Sequence, residues 1–353
     1  MIDTLAASFQ MFATIDNILV LFIGVVIGCT VGAIPGMTAT MGVALTLPFT
    51  FYLQPVTGIL LLLGVYKGGI YGGSIPAILI KTPGTPAAAC TVLDGFPLSQ
   101  KGQANKALHM ALYVSTFADF ISNISLIFFT GFIASFALKF GPPEFFTLIL
   151  FSLTIIAGVA GDNLSRGLTS ACFGLLLATI GLDLIYGTER MIFGEPELMG
   201  GLKFIPVLIG LFAIPELINH YTRKLDTSKR LTGLGQAGIT MSEWKRCFKS
   251  VFRGSLIGVV MGAIPGIGAA PAAFLSYSEA KRTSKVSDNF GKGELEGIAA
   301  SESGNNGVCG ATLIPLLSLG VPGDVITAVI LGAFMIHGLR PGPILFEQNL
   351  SLI

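Results

Sequence analysis

Charged residues are scarce in this chain, and their scarcity indicates the class of protein. Only 12% of the 353 residues are Asp, Glu, Lys or Arg, whereas 52% are hydrophobic and the mean hydropathy is +0.77. A soluble domain carries roughly twice this share of charge. Apolar runs near the ~20 residues needed to cross a bilayer recur along the chain. The composition therefore predicts an all-α polytopic membrane protein whose surroundings are the lipid bilayer, with no nucleic-acid partner.

Residues that carry enzyme chemistry are few or badly spaced. The chain has three His and five Cys, and no two cysteines form a CxxC pair. Such scattered cysteines favour packing roles over a metal site or a disulfide framework. No HExxH pair, Ser/His/Asp order or Walker loop is present. The sequence therefore predicts that the protein is not an enzyme and has no cofactor, with Na⁺ left open as a coupling ion.

Glycine and proline, by contrast, are abundant, with 45 and 18 copies. Both residues interrupt helices. The pentapeptide Gly-Ala-Ile-Pro-Gly occurs at 32–36 and again at 262–266, each time at the end of an apolar run. Downstream of each copy, an Ile-Pro pair precedes a Pro-Gly pair, at 75–84 and at 314–323. The shared order of the two phrases indicates a duplicated unit with broken or re-entrant helices.

The distribution of charge predicts the domain organisation. Residues 220–253 carry a cluster of Lys and Arg, and basic loops face the cytoplasm. We expect an N-terminal transmembrane repeat unit at 1–219, this basic cytoplasmic loop at 220–253, and a second, incomplete repeat unit at 254–353. If residues 38–53 cross the membrane, the two repeats are inverted relative to each other. If 38–53 is re-entrant, the count of crossings changes and the repeats are parallel.

The paired breaks are the predicted functional site. Irregular backbone at membrane depth persists only where it is buried in protein or lines a wet cavity. Helix N-termini at such breaks suit anions, and helix C-termini suit cations. For each candidate residue a structural role, as a kink, a helix cap or a side chain reaching the interface, remains the alternative. The predicted substrate-binding residues are Pro35, Gly36, Thr38, Lys81, Thr82, Gly84, Thr85, Gly266, Ser303, Asn305, Asn306, Pro322 and Gly323. The predicted cation-coupling residues are Glu302 and Asp324.

Several motifs in order resemble one known family. They are Gly-Gly-Ser-Ile-Pro-Ala-Ile-Leu at 72–79, Thr-Pro-Gly-Thr-Pro-Ala at 82–87, Asp-Gly-Phe-Pro at 94–97, Phe-Gly-Lys-Gly at 290–293, Asn305-Asn306, Leu-Gly-Val-Pro-Gly at 319–323 and Gly-Leu-Arg-Pro-Gly-Pro at 338–343. From about residue 17 to the end, the chain resembles the large membrane subunit, TctA, of tripartite tricarboxylate transporters. The family's Glu-Ala-Ala-Asn-Asn pattern reads Glu302-Ser303-Gly304-Asn305-Asn306 here, a change that bears on the substrate.

The resemblance implies a function, a location and partners. It implies a multi-pass permease in a prokaryotic inner membrane that takes up carboxylates such as citrate by symport, driven by an ion gradient. The implied partners are a small TctB-like membrane subunit, a periplasmic TctC-like solute-binding protein and the carboxylate substrate. Family members usually continue with several more helices, so we expect this chain to lack a C-terminal part. A passive channel and a truncated, non-transporting scaffold are the competing hypotheses.

Overall fold

The computed structural model describes residues 8–141, 164–183, 188–202 and 238–348, with a few further residues between these segments. Residues 144–161 and 203–219, two apolar stretches that the sequence predicts to cross the membrane, lie largely outside the described residues. The helices of the first half are α1 (Ile15–Ala33), α2 (Ala39–Thr46), α3 (Pro55–Gly72), α4 (Ser74–Ile80), α5 (Val92–Leu98), α6 (Ala104–Ala137) and α7 (Leu164–Ala178). Single 3₁₀ turns, Leu47–Tyr52 and Ala87–Ala89, follow α2 and α4.

The second half of the described chain is also helical. It contains α8 (Met241–Ala263), α9 (Ala269–Thr283), α10 (Leu295–Asn306), α11 (Val308–Ala311), α12 (Leu313–Leu319), α13 (Val325–Ile336) and α14 (Pro343–Gln348). Between the halves, β1 (Gly181–Leu182) and β2 (Glu189–Arg190) form one short antiparallel pair. The described residues are thus almost entirely helical, which confirms the all-α prediction.

Among the described residues, three helical stretches are long and apolar enough to cross a membrane. They are α1, the stretch Pro55–Ile80 that joins α3 to α4, and the stretch Val92–Ala137 that joins α5 to α6. The first has a mean hydropathy of 2.2 over its most apolar window. These stretches agree with the prediction of a membrane protein.

The helix α8 begins earlier than the sequence suggested, inside the segment 220–253 that was predicted to be a loop. Thr240 caps it, because its hydroxyl accepts from the Glu243 N–H while the Glu243 carboxylate accepts from the Thr240 N–H. Lys106 donates to the same carboxylate at 2.7 Å. Together the Lys106 bond and the backbone bond lower the pKa of Glu243 to about 2. Residues 241–253 are therefore helical, with their basic side chains on a capped helix.

Glycine lets two pairs of helices pack with their backbones in contact. On α1, a Cβ added at Gly24, Gly28 or Gly32 would lie 2.3–2.4 Å from a carbonyl oxygen of α3. On α8, a Cβ added at Gly258 would lie 2.6 Å from the Gly304 oxygen of α10, and one at Gly262 would lie 2.8 Å from Ala311. Both rows of glycine recur at every fourth position, on one face of a helix. The duplicated sequence thus encodes the same close contact twice.

Contacts between the halves are also extensive. The largest buried apolar cluster joins Leu62 and Tyr66 of α3 to Leu316 of α12 and Ile330 of α13. A side chain of the long helix α6 forms hydrogen bonds with the backbone at the interruption between α10 and α11. There, the Ser122 hydroxyl donates to the Gly307 oxygen at 2.6 Å and accepts from the Gly310 and Ala311 N–H groups at 2.9 Å. This one hydroxyl satisfies three backbone groups that the broken helix leaves free.

Candidate functional site

The two pentapeptides form the same turn. The residue that ends α1, Ile34, has φ −85° and ψ 115°, and the residue that ends α8, Ile264, has φ −91° and ψ 113°. Two positions later, Gly36 and Gly266 have φ of 91° and 83°, a conformation that favours glycine. Each turn reverses the chain into a further helix, α2 or α9. The predicted residues Pro35, Gly36 and Gly266 therefore shape the breaks.

The second shared phrase also folds alike in both halves. Lys81 ends α4 and Gly320 ends α12, each in the left-handed conformation, with φ of 61° and 74°. The N–H groups of Thr82 and Val321 then donate to Pro76 and Pro315, both at 3.3 Å. After each bond the chain turns back along the helix it has left, so that the Gly84 N–H donates to Gly73 at 3.1 Å. The predicted Gly84, Pro322 and Gly323 form these returning segments.

One cavity lies where the four breaks meet. Its volume is about 580 Å³. Its wall comes from residues 38–40 and 266–271, which follow the pentapeptides, from 85–87 and 324–326, which follow the Pro-Gly pairs, and from Ile70. The predicted residues Thr38, Thr85, Gly266 and Asp324 are thus brought together from widely separated parts of the chain.

The cavity wall combines helix N-termini with a few polar side chains. The N-terminus of α9 lies in the wall, and Gly268, the residue before it, supplies no side-chain cap. The first N–H groups of a helix have no partner within the helix and carry its positive dipole end. Asp324 lies beside this N-terminus, since a Cβ at Gly268 would be 3.8 Å from the Asp324 Cβ. Its carboxylate accepts from the Tyr66 hydroxyl at 3.0 Å and from the Thr327 N–H at 2.7 Å. Asp324 therefore caps α13 and lines the cavity at once.

Comparison with known proteins identifies the family. The family model described as tripartite tricarboxylate transporter TctA matches residues 18–353. The chain belongs to the TctA family. It is 38% identical, over its whole length and 70% of the relative's, to an uncharacterised 52.8 kDa protein in the TAR-I ttuC′ 3′ region of Agrobacterium vitis. A second protein of that organism, in the TAR-II ttuC′ 3′ region, is 45% identical over 24% of this chain and 36% of its own length. No solved structure matches the chain.

In this TctA-family chain, the predicted cluster at 301–306 lies inside α10 and is completely enclosed. Glu302 has no exposed surface, and its carboxylate accepts from the hydroxyls of Thr91 and Ser115 and from the amide of Asn306. In the part of the chain that the structure describes, the amide of Asn305 has no hydrogen-bond partner, although it is fully buried. These residues are therefore helical and buried and do not form a solvated loop.

Three further predicted residues lie away from the cavity wall. Lys81 is exposed, and its ammonium lies 5.9 Å from the centre of the Phe96 ring. Thr82 follows it, and the Thr82 hydroxyl donates to the Ile80 oxygen at 3.4 Å. Ser303 is buried, and its hydroxyl donates to Ala300 in its own helix at 3.1 Å. None of these three lines the cavity beside Thr38 and Asp324.

Sequence reasoning missed the partners that surround the two carboxylates. Tyr66 reaches Asp324, while Thr91 and Ser115 reach Glu302. A polar side chain inside an apolar run was the available signal, and Asp119 in α6 is a further case that was passed over. Within the described residues, no group of three or more His, Cys, Asp or Glu side chains is arranged to hold a metal ion.

Proposed function

We propose that this chain is the large permease subunit of a binding-protein-dependent secondary transporter that imports tricarboxylate or dicarboxylate anions. The observation that carries the proposal is the cavity of about 580 Å³, whose wall comes from the segments after all four breaks. Broken helices that meet around one central site are typical of secondary transporters. Membership of the TctA family supports the same class of function.

The chemistry of the cavity wall supports an anionic substrate. The uncapped N-terminus of α9 offers N–H groups and a positive dipole end. Thr38 and Thr85, on the other half, can donate hydroxyl hydrogens to carboxylate oxygens. We assign substrate carboxylates to this wall, and coupling cations to the two buried carboxylates, Asp324 and Glu302. An ion gradient supplies the energy, and no ATP is used.

We infer further that the two repeats are inverted in the membrane. Within each repeat the first helix runs parallel to the broken helix, as Gly24 contacts Gly64 and Gly32 contacts Gly73. Between repeats the broken helices run in opposite directions. The Tyr66 hydroxyl lies 3.2 Å from that of Thr312, near the end of the second broken helix.

Near the start of the second broken helix, a Cβ at Gly297 would lie 2.1 Å from Asp94, which follows the end of the first broken helix. In this proposal α1 and α2 form a hairpin that enters and leaves on one side of the membrane, and α8 and α9 form its counterpart from the cytoplasm. Such a hairpin adds no crossing of its own, so a re-entrant 38–53 is compatible with inversion, contrary to the expectation from the sequence. The units 1–219 and 254–353 remain our proposed repeats.

The resemblance to TctA also supplies the proposed setting. We place the protein in the inner membrane of a prokaryotic cell, as a multi-pass subunit. Its proposed partners are a small membrane subunit of the TctB type and a periplasmic solute-binding protein of the TctC type, which delivers the carboxylate. The basic residues before and within α8 face the cytoplasm in this arrangement.

A substitution that fills the cavity tests the proposed site. Ala270, near the start of α9, lines the cavity, whereas Ser278 on the same helix is exposed. In vesicles that contain the partner subunits and the binding protein, Ala270→Leu should lower the rate of labelled citrate or dicarboxylate uptake by at least about tenfold, because a filled pocket excludes its ligand. The matched control, Ser278→Leu, should stay within about twofold of the unchanged protein.

Three outcomes would contradict the proposal. Equal uptake by both variants would mean that the cavity is not the substrate site. Ion conductance through the unchanged protein that does not depend on the binding protein would favour a channel over a carrier. A complete lack of uptake by the unchanged chain with its partners would favour a non-transporting scaffold.

A further inference from the structure

A column of polar side chains follows one face of α6. Ser115, Asp119, Ser122 and Asn123 are spaced so that they share this face. The face lies against the broken helices of both repeats, because Asn123 and Asp119 contact α3, and Ser115 contacts α10. The helix α6 lies within a stretch long and apolar enough to cross the membrane. Polar side chains at such depth mark ion or substrate pathways.

One end of the column is an ion pair that is open to water. The Lys67 ammonium donates to Asp119 at 2.5 Å and to the Asn123 amide oxygen at 2.9 Å. The Asn123 amide in turn donates to Asp119 at 3.0 Å. The side chains of Lys67 and Asp119 keep 22% and 25% of their surface exposed. Charged side chains within membrane spans face the protein interior or a water-filled cavity and not lipid, so we take this exposed surface to be in contact with water.

The other end of the column is closed. The Glu302 carboxylate has no exposed surface, and it accepts from Ser115 at 3.0 Å, from Asn306 at 3.1 Å and from Thr91. In the described part of the chain no Lys, Arg or His side chain forms an ion pair with it. An ionised carboxylate buried without a countercharge is strongly destabilising. Glu302 therefore requires a bound cation or a proton in this conformation.

The spacing around Glu302 fits a proton and not a metal cation. A metal ion would require several oxygens turned towards it with their hydrogens directed away. Here the neighbouring oxygens and the Asn306 nitrogen already lie at hydrogen-bond distance from the carboxylate, so an inserted ion would force them apart. A proton on Glu302 needs no such displacement, because Thr91 and Ser115 hydroxyls can turn to accept from it as well as donate.

We propose that this column is a proton pathway, with Asp119 as the site of proton uptake and Glu302 as the buried proton acceptor. The inference rests on the proposed function, and it names the proton as the driving ion. A proton from water adds to the Asp119 carboxylate. Lys67 stays an ammonium and loses its ion-pair partner, Asp119, while it keeps its hydrogen bond to Asn123. The proton then passes to the Ser115 hydroxyl, one turn away along α6, through one bridging water.

The second transfer restores the first group. As Ser115 accepts this proton, its own hydrogen moves to Glu302 Oε2, to which it already donates. Asp119 is again a carboxylate paired with Lys67, and Glu302 is a neutral acid. Lys67 directly follows Tyr66, whose hydroxyl bonds Asp324 in the cavity wall. Release of Lys67 from Asp119 can therefore shift the adjacent Tyr66 on α3. Tyr66 contacts Asp324 in the wall of the substrate cavity.

Other titratable groups around the column are few. Tyr71 of α3 and Cys90, which precedes Thr91, lie within electrostatic range of Glu302. Cys309 of α11 lies within range of Asp119 and Lys67. The nearest other acid along this part of the chain, Asp94, is occupied by three backbone N–H groups and by Tyr277. The path from Asp119 to Glu302 therefore has no competing charged group beside Lys67 within the described residues.

The test uses vesicles that contain the complete transporter and an internal pH-sensitive dye. With an inward pH gradient and no Na⁺ gradient, addition of labelled citrate with its binding protein should acidify the lumen of the vesicles. Asp119→Asn and Glu302→Gln should each lower gradient-driven accumulation by at least about tenfold, because each removes one proton site. Exchange of labelled for unlabelled substrate at equal pH, which needs no net proton movement, should slow by less than about threefold.

A matched control and three contrary outcomes complete the test. Ser125→Ala alters a buried serine of α6 that bonds only within its own helix, so it should change neither accumulation nor acidification, whereas Ser115→Ala should lower both. Lumen acidification by Glu302→Gln, accumulation driven by Na⁺ alone, or equal loss of exchange and accumulation in Asp119→Asn would each overturn the pathway. If the unchanged transporter exchanges substrate but never acidifies the lumen under a pH gradient, only the pathway is overturned, whereas no exchange by the unchanged transporter overturns the carrier proposal itself.

Discussion

Asn305 and Asn306 are neighbours in the sequence, yet their side chains have different surroundings. The Asn306 amide donates to Ser115 at 2.8 Å and to the Glu302 carboxylate at 3.1 Å. The Asn305 amide, equally buried, has no hydrogen-bond partner among the described residues. A buried amide without a partner is rare, and it often marks a functional position. We therefore assign a structural role to Asn306 and a binding role to Asn305.

Alanine substitutions separate the two roles. Asn306→Ala should lower the free energy of unfolding by about 1–3 kcal/mol, because the buried Glu302 carboxylate loses a donor. Asn305→Ala should change it by less than about 1 kcal/mol, because no hydrogen bond is lost, and should still abolish substrate uptake. Thermal unfolding in detergent measures the first effect, and vesicle uptake measures the second. Normal uptake by Asn305→Ala would show that Asn305 takes no part in substrate binding.

At this scale the sequence revealed the candidates but not their neighbours. Glu302 and the two asparagines were predictable because polar residues are conspicuous in an apolar chain. Thr91 lies 211 positions from Glu302, and Ser115 lies 187 positions from it, so no local pattern could pair them. Lys81 and Thr82 were predicted from a Pro-rich segment, whose left-handed turn directs them away from the cavity.

The contact between α1 and α3 depends on glycine more than on any apolar side chain. Gly28→Ala would place a Cβ 2.3 Å from the Val65 oxygen, so the helices would have to separate. We expect a loss of at least about 1–3 kcal/mol in the free energy of unfolding, the usual effect of overpacking. Gly131→Ala in α6 is the matched control, because a Cβ there meets no atom within 4 Å and alanine favours helix.

Thermal unfolding of the purified protein in detergent tests this pair. A Gly28→Ala variant as stable as the Gly131→Ala variant would show that α1 and α3 can move apart at little cost in free energy. The contact would then not fix the position of the pentapeptide turn. Gly258→Ala on α8 provides the corresponding test for the second half of the chain, because its added Cβ would lie 2.6 Å from the Gly304 oxygen.

Helix ends were predictable where the chemistry is local. Pro-Gly pairs end α1 and α8, as the sequence indicated, because proline lacks a donor and glycine permits a positive φ. The start of α8 was missed, because its basic side chains were taken as evidence of a loop. The deciding signal was the capping box between Thr240 and Glu243, a spacing of three residues that is visible in the sequence.

For the whole molecule, cysteine labelling distinguishes inverted from parallel repeats. The test uses a cysteine-free background with single cysteines at exposed positions: Tyr52 and Lys285, which follow the two hairpins, and Lys101 and Arg340, which follow the two broken helices. Inversion predicts that Tyr52→Cys and Arg340→Cys react with an impermeant reagent from the periplasmic side. Lys101→Cys and Lys285→Cys should react only from the cytoplasm. Labelling of Tyr52→Cys and Lys285→Cys from the same side would mean parallel repeats.

The architecture was only partly readable from the sequence. Duplication of the two phrases predicted a cavity between matched breaks, because a repeated interruption of a membrane helix needs a common purpose. The relative orientation of the two repeats in the membrane could not be predicted from the duplicated phrases. It depends on whether short apolar stretches such as α2 cross the membrane. The length of an 8-residue helix followed by a short 3₁₀ helix does not decide whether the segment crosses or returns to the same side.

The matched backbones of the two repeats hold unlike side chains. Counted from the shared Ile-Pro pair, Tyr66 stands in the first repeat where Asn305 stands in the second, and Thr85 stands where Asp324 does. A carrier with two identical inverted halves would have equal energy whether it opened to one face of the membrane or the other. Because these halves differ, the carrier proposed above should favour one side of the membrane when it is empty. The substrate concentration for half-maximal uptake must then differ from the one for half-maximal efflux.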